Sequence, residues 1–232
     1  MFLYQATEGY CYNSDSIFLY DFISSFEPKG NLLDIGCGVG IISLLLSRDF
    51  DLACSIVDKQ AKMLKYAKHN FAINNLAVNS YLADFVAEFQ TKDRYDYIVS
   101  NPPFYDSNTK QSKNEHLNIS RYSQHLPIDK FIKQVKTFLK AKGWFIFCYD
   151  ARHIDSVLYY LKTSNINPEK IQFVHSKIDR ESKLVLIAAR NNSKSATKIL
   201  PPHIVFGHED IYTKQAQKAF AKANTHSIKG DY

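Results

Sequence analysis

Leu32-Leu33-Asp34-Ile35-Gly36-Cys37-Gly38-Val39-Gly40-Ile41 is the stretch that decides how this chain folds. Leu32, Leu33 and Ile35 form a short apolar run suited to a buried strand, and Gly40–Arg48 continues as a strongly apolar helix. Between them, three glycines at alternate positions let the backbone turn tightly and let a ligand approach it closely. The spacing is GxGxG. A dinucleotide fingerprint needs glycine where Ile41 stands, and no Lys-Ser/Thr follows to clamp a pyrophosphate, so a P-loop is excluded. A purely structural glycine turn is the plain alternative, and the rest of the chain weighs against it.

Working outward, strands and helices alternate. Ser16–Phe26 reads as a helix that breaks at Pro28-Lys29-Gly30. Asn31–Ile35, Cys54–Val57, Ser80–Ala83, Tyr95–Ser100 and Trp144–Tyr149 read as strands; Gln60–Asn74, Pro127–Lys140 and His153–Lys162 read as the helices between them. Lys170–Lys177 and Lys183–Ala189, joined by the polar Ile178–Ser182, form a hairpin. Pro201–Phe206 adds a short strand and Ile211–Ala223 a basic helix. This alternation predicts a Rossmann-like α/β fold: a doubly wound, mostly parallel sheet with a terminal antiparallel hairpin, binding its ligands at the carboxyl ends of its strands. Residues 1–30 form an N-terminal segment packed on the core, 31–190 the main domain, and 191–232 a basic C-terminal extension of that same domain. The polar stretch 105–126 lacks periodicity, and an irregular loop of ~20 residues in a compact domain is usually functional or disordered.

The ends of successive strands carry chemistry in order. Asp58 ends the second strand, where an acid accepts both hydroxyls of a ribose. Asp84-Phe85 follows the third, an acid and an aromatic suited to holding an adenine by hydrogen bond and stacking. Asn101-Pro102-Pro103-Phe104 follows the fourth. Proline restricts the residue before it, so the Asn101 amide is fixed in an extended segment beside an aromatic face. A polar amide held next to a flat ring is what gripping a planar amino group requires, as on a nucleobase. Each strand end alone also reads as a capping turn; all four in sequence are hard to reach by chance.

The 232 residues, 45% hydrophobic and 22% charged, suit one globular domain with a sizeable core. No apolar run approaches the ~20 residues that span a bilayer, and no signal peptide is evident. Cys11, Cys37, Cys54 and Cys148 lack metal-ligand spacing, and Cys54 and Cys148 read as buried free thiols. A reducing, cytoplasmic setting without membrane or metal follows. The net charge of +6 is uneven: residues 1–104 carry −4, 105–142 carry +5 and 190–232 carry +4. Basic charge just after the amine-gripping turn favours a polyanionic partner. Nothing here fixes the oligomeric state, and a monomer is compatible.

This series resembles the S-adenosylmethionine-dependent class I methyltransferases, in the branch whose N/D-P-P-Y/F motif methylates amino nitrogens. The resemblance implies S-adenosyl-L-methionine as cofactor. It places Asp34, Gly36, Gly38 and Gly40 against the methionine part, Asp58 with Lys59 at the ribose, Asp84 and Phe85 at the adenine, and Asn101, Pro102, Pro103 and Phe104 at the target amine. Gly9-Tyr10-Cys11-Tyr12-Asn13-Ser14-Asp15-Ser16, Ser120-Arg121-Tyr122-Ser123, Ala151-Arg152-His153 and Ile211-Tyr212-Thr213 look like the bacterial tRNA adenine-N6 methyltransferases acting at position 37, beside the anticodon of a valine tRNA. That likeness implies tRNA as partner, with Asp15 and Ser16 near the cofactor's methionine end and Arg121 near the RNA. Lys110, Lys113 and Arg121 are the candidate phosphate contacts. Asp58 stands where Glu is commoner and Phe104 where Tyr is commoner; the latter loses a hydroxyl and keeps the stacking face. Other targets of the same motif stay open, release-factor glutamine and rRNA guanine-N2 among them, as does a non-catalytic RNA-binding module.

Overall fold

The computed structural model describes residues 1–7, 12–102 and 127–230. A short strand β1 (Phe2–Gln5) and helix α1 (Ser14–Ser24) precede the glycine-loop unit β2 (Gly30–Ile35) and α2 (Ile41–Asp49). There follow β3 (Leu52–Asp58), α3 (Ala61–Ile73), β4 (Asn79–Leu82), β5 (Tyr95–Ser100), α4 (Ile128–Phe138), β6 (Leu139–Asp150) and α5 (Ile154–Thr163). The chain ends with β7 (Ile166–His175), β8 (Ser182–Asn191), β9 (Lys198–Ile199), β10 (His203–Ile204), α6 (Lys214–Ala223) and β11 (His226–Lys229).

The main sheet runs in the order β10-β7-β8-β6-β5-β2-β3-β4, with β9 also beside β7. Its pairs are parallel except those of β8, which is antiparallel to β6 and to β7. The expected antiparallel hairpin lies toward one end of the sheet: β8 is inserted inward of β7, and the short strands β9 and β10 pair with β7. From β2 the chain winds outward through β3 and β4, then returns to the other side of β2 as β5. The winding reverses between β2 and β5, and in open α/β sheets the ligand crevice lies at such a reversal. Ile35 is level with Ser100, so Gly36 and Asn101 leave the sheet side by side. The buried Ser100 hydroxyl donates to Ile35 O at 2.8 Å and ties the two strand ends together.

Pleating sends alternate side chains to opposite faces and makes two apolar layers. Leu32, Ile56, Ile146 and Leu186 pack with residues of α1, α2, α3 and α6, while Leu33, Val57, Phe145 and Ile187 pack with residues of α4 and α5.

Two features depart from the sequence expectation. β1 and β11 pair in parallel, joining the chain's first and last segments. Asn70 anchors β1 to α3: it accepts from Tyr4 N–H (2.7 Å) and donates to Tyr4 O and Val39 O (3.0 Å each), so it also holds the glycine loop. The helix expected through Lys140 stops at Phe138. Lys142 takes a left-handed φ of 60°, and a β-carbon on Gly143 would stand 3.0 Å from Lys140 O, so the chain turns sharply there before β6 runs on.

Candidate active site

The glycine loop leaves β2 with φ of 65° at Gly36, 55° at Gly38 and 82° at Gly40, a region that favours glycine. A β-carbon on Gly36 or Gly38 would meet nothing within 4 Å, so these two border open space. Gly40 is different: a β-carbon there would lie 3.2 Å from Ala67 Cβ, so it allows the close approach of α3. Beneath the loop, the buried Asp34 carboxylate accepts from Ser43 N–H at 3.3 Å. Burial pushes its pKa up to about 7, and the nearby Asp58 carboxylate adds to the rise.

That shift has a definite sign for stability. The folded protein holds a proton on Asp34 in a range where the unfolded chain has lost it, from the unfolded value of 3.8 to about 7. The stabilising contribution is complete below the lower value and is lost as pH rises through the upper one. Asp34→Asn keeps the acceptor without the charge. In urea unfolding of the cofactor-free protein, this variant should gain about 2–3 kcal/mol over the unmutated chain between roughly pH 5 and pH 8. An unchanged difference between the two pH values would contradict an ionising Asp34.

Asp58 ends β3 with both carboxylate oxygens engaged. Oδ2 accepts from Gly38 N–H at 2.9 Å and Oδ1 from Gln60 N–H at 2.8 Å. Burial raises its pKa; the Gln60 and Gly38 hydrogen bonds and the adjacent Lys59 ammonium oppose that rise. Lys59 itself is exposed beside it. Half-buried Asp84 caps the next turn: Oδ1 accepts from Val86 and Ala87 N–H (2.9 and 3.1 Å), and Glu88 Oε2 accepts from Asp84 N–H (3.0 Å). The free stacking face expected of Phe85 is not there. Its ring is 5% exposed and packs with Phe89, Phe131 and Phe138 at centroid distances of 5.5 to 5.9 Å. The aromatic was legible in the sequence, but the side it faces depends on the α4 rings.

Asn101 stands at the end of β5, with Pro102 buried after it. Its amide nitrogen donates to Ser16 Oγ at 3.1 Å, and its Oδ1 accepts from the Cys148 thiol at 2.9 Å. Asp15 joins them from the first turn of α1, its pKa raised by burial against the pull of hydrogen bonds from Asn13 and Ser14. The structure thus brings Ser16 and Asn101 into hydrogen-bond contact, with Asp15 next to Ser16 on α1, and adds Cys148, which reads in sequence only as a buried thiol. Because Ser100 is level with Phe147, Cys148 comes level with Asn101, a relation visible only once the register is known. Asn70 carried a weak signal, a polar residue between Ala67 and Phe71 on the apolar side of α3. Pro103, Phe104, Lys110, Lys113, Arg121, the 105–126 loop and Gly9–Cys11 lie outside the described residues. Among the described residues no group of three or more His, Cys, Asp or Glu could hold a metal, and no helix is long and apolar enough to cross a membrane.

A sheet reversal bordered by a glycine loop, two acids after successive strands and a fixed amide can be compared with known proteins. Residues 14–155 match the methyltransferase small domain, over half of the chain. The chain belongs to that family. A tRNA1(Val) (adenine(37)-N6)-methyltransferase of Phocaeicola vulgatus is 29% identical over 160 residues, 68% of each chain. A ribosomal RNA small subunit methyltransferase C of Shewanella loihica is also 29% identical, over 149 residues that make up 62% of this chain and 39% of that protein. The fold is that of the crystal structure of a predicted O-methyltransferase from Agrobacterium tumefaciens, with a TM-score of 0.70, 11% identity, and coverage of 92% of this chain and 99% of that one. This methyltransferase takes S-adenosylmethionine as its methyl donor. The residues present fit that molecule: the loop leaves open space where side chains are missing at Gly36 and Gly38, Asp58 ends β3, and Asp84 follows β4 by two residues.

Proposed function

We propose that this methyltransferase transfers a methyl group to the N6 amine of an adenosine in tRNA, the adenosine at position 37 of a valine tRNA. What carries the reading is the Asn101 amide, which is held at the sheet reversal beside the glycine loop and followed by Pro102. The choice of tRNA rests on relatives of matching extent: similarity to the tRNA enzyme of Phocaeicola vulgatus spans 68% of both chains, whereas the ribosomal RNA relative is matched over 39% of its length.

In this reading Asp34, Gly36, Gly38 and Gly40 lie against the methionine part of the donor, with Asp15 and Ser16 closing that end. Asp58, with Lys59 beside it, accepts the ribose hydroxyls. Asp84 keeps Oδ2 for the adenine amine, since Oδ1 is committed to the turn. S-adenosylmethionine supplies an electrophilic methyl. The adenine amine is a poor nucleophile, because its lone pair is delocalised into the ring. Asn101 is no useful base, so it does not abstract the proton before transfer. Its Oδ1, which has a second lone pair beyond the Cys148 hydrogen bond, accepts one amine hydrogen and the Pro102 carbonyl accepts the other. That localises the nitrogen lone pair and aims it, so the rate gain comes from positioning and fixed dipoles. Phe104 stacks on the base. The surplus proton leaves to water after the methyl arrives. An anticodon-loop adenosine is single-stranded, so splaying it out costs less than flipping it from a duplex.

The test is to offer labelled donor to unmodified tRNA, ribosomal RNA and release factor in parallel. Label should enter the tRNA; label confined to ribosomal RNA or protein would overturn this reading. Binding should also be electrostatic: the apparent Kd for tRNA should rise on the order of 10-fold or more between roughly 50 and 200 mM salt. A flat response would argue against the basic segments 105–142 and 190–232 as phosphate contacts.

A further inference from the structure

Asn101 is useful in amine methylation only if its oxygen, and not its NH2, faces the substrate. A side-chain amide turns over by rotation about one bond, and the two orientations have nearly the same shape. A flipped Asn101 would present donors to an amine that itself donates. Two buried neighbours each pair with one end of the amide in the orientation present. Ser16 Oγ, from the first turn of α1, accepts from Asn101 Nδ2 at 3.1 Å. The Cys148 thiol, on the neighbouring strand β6, donates to Asn101 Oδ1 at 2.9 Å. Both flanking side chains are buried, Cys148 at 0% exposure. Burial raises the thiol pKa well above its ordinary value and the Asp15 carboxylate adds to that, so the sulfur keeps the proton it donates. A thiol in this place does what an alanine, which has no donor, would not.

We infer that Cys148 and Ser16 are positioning residues that lock the Asn101 amide with its oxygen toward the target amine. The inference deepens the amine-transfer reading above and rests on it for its kinetic consequence. Its structural content, the locked amide, does not depend on which RNA is methylated.

Two readouts therefore test it. In cofactor-free, 15N-labelled protein, the Asn101 side-chain NH2 pair, assigned by its disappearance in Asn101→Ala, should show slow exchange with solvent. Cys148→Ala should accelerate that exchange about 3- to 10-fold, the loss expected for one hydrogen bond. Cys148→Ser, whose hydroxyl still donates, should restore most of the protection. In methyl transfer to tRNA, Cys148→Ala should lower kcat by a similar 3- to 10-fold with KM for donor and tRNA within about two-fold, and Cys148→Ser should again recover most of it. Should Cys148→Ala fail to fold, Cys148→Val fills the space without a donor and replaces it. Unchanged exchange in Cys148→Ala, or an equal loss in Cys148→Ser, would overturn the inference and leave the thiol as packing alone. Absence of transfer to tRNA by the unmutated enzyme, with the exchange pattern intact, would count against the substrate and not against the locked amide.

Discussion

Asn101→Ala should abolish methyl transfer, lowering kcat by about 10³-fold or more, the scale seen when a transition-state hydrogen-bond partner is removed from a closed site. The size follows from what the residue does. On the proposed reading its oxygen is one of two acceptors aligning a weak nucleophile, and among the described residues its two partners, Ser16 and Cys148, both face the amide itself. Cofactor affinity should stay within about three-fold, because the glycine loop and Asp58 are organised by Val57, Gly38 and Gln60 independently of Asn101. Single-turnover transfer and donor titration on the same variant separate the two effects. Near-normal turnover would sink the assigned role; joint loss of turnover and donor binding would recast Asn101 as a cofactor residue.

The second large effect belongs to Asp58. Asp58→Ala should weaken donor binding by at least about 100-fold, since on the proposed reading two hydrogen bonds from ribose hydroxyls to a buried carboxylate are lost, each worth roughly 1.5–3 kcal/mol. The same substitution strips an acceptor from Gly38 N–H at 2.9 Å and from Gln60 N–H at 2.8 Å, so the loop loses its brace as well. Asp58→Glu keeps the charge at slightly longer reach and should retain affinity within about 10-fold. Titration calorimetry decides: a loss under about three-fold in Asp58→Ala would remove this residue from the ribose site.

The central sheet and the strand ends were legible because they depend on local signals. Buried apolar runs flank the turn residues, and glycines or acids mark the points where strands stop. Tyr95–Ser100 runs over the same residues in sequence and structure for that reason. What escaped detection depends on partners distant in sequence. The β1–β11 pairing joins Phe2–Gln5 to His226–Lys229, two four-residue strands more than two hundred residues apart in the chain. α4 ends where Leu139 takes extended backbone and pairs with Tyr95 as the start of β6, while the helical pattern itself runs on through Lys140. Phe85 shows the same limit at the site. Its position after Asp84 was readable, but its inward orientation comes from Phe131 and Phe138, more than forty residues later in the chain. Cys148 reached the site through strand register alone, and no local pattern announces that.

The identity of the methylated atom tests the central claim most directly. Unmodified total tRNA, methylated by the enzyme with labelled S-adenosylmethionine, should yield N6-methyladenosine on nuclease digestion and mass analysis, located in valine tRNA beside the anticodon. N2-methylguanosine as the labelled nucleoside, or label recovered only in protein, would contradict the account.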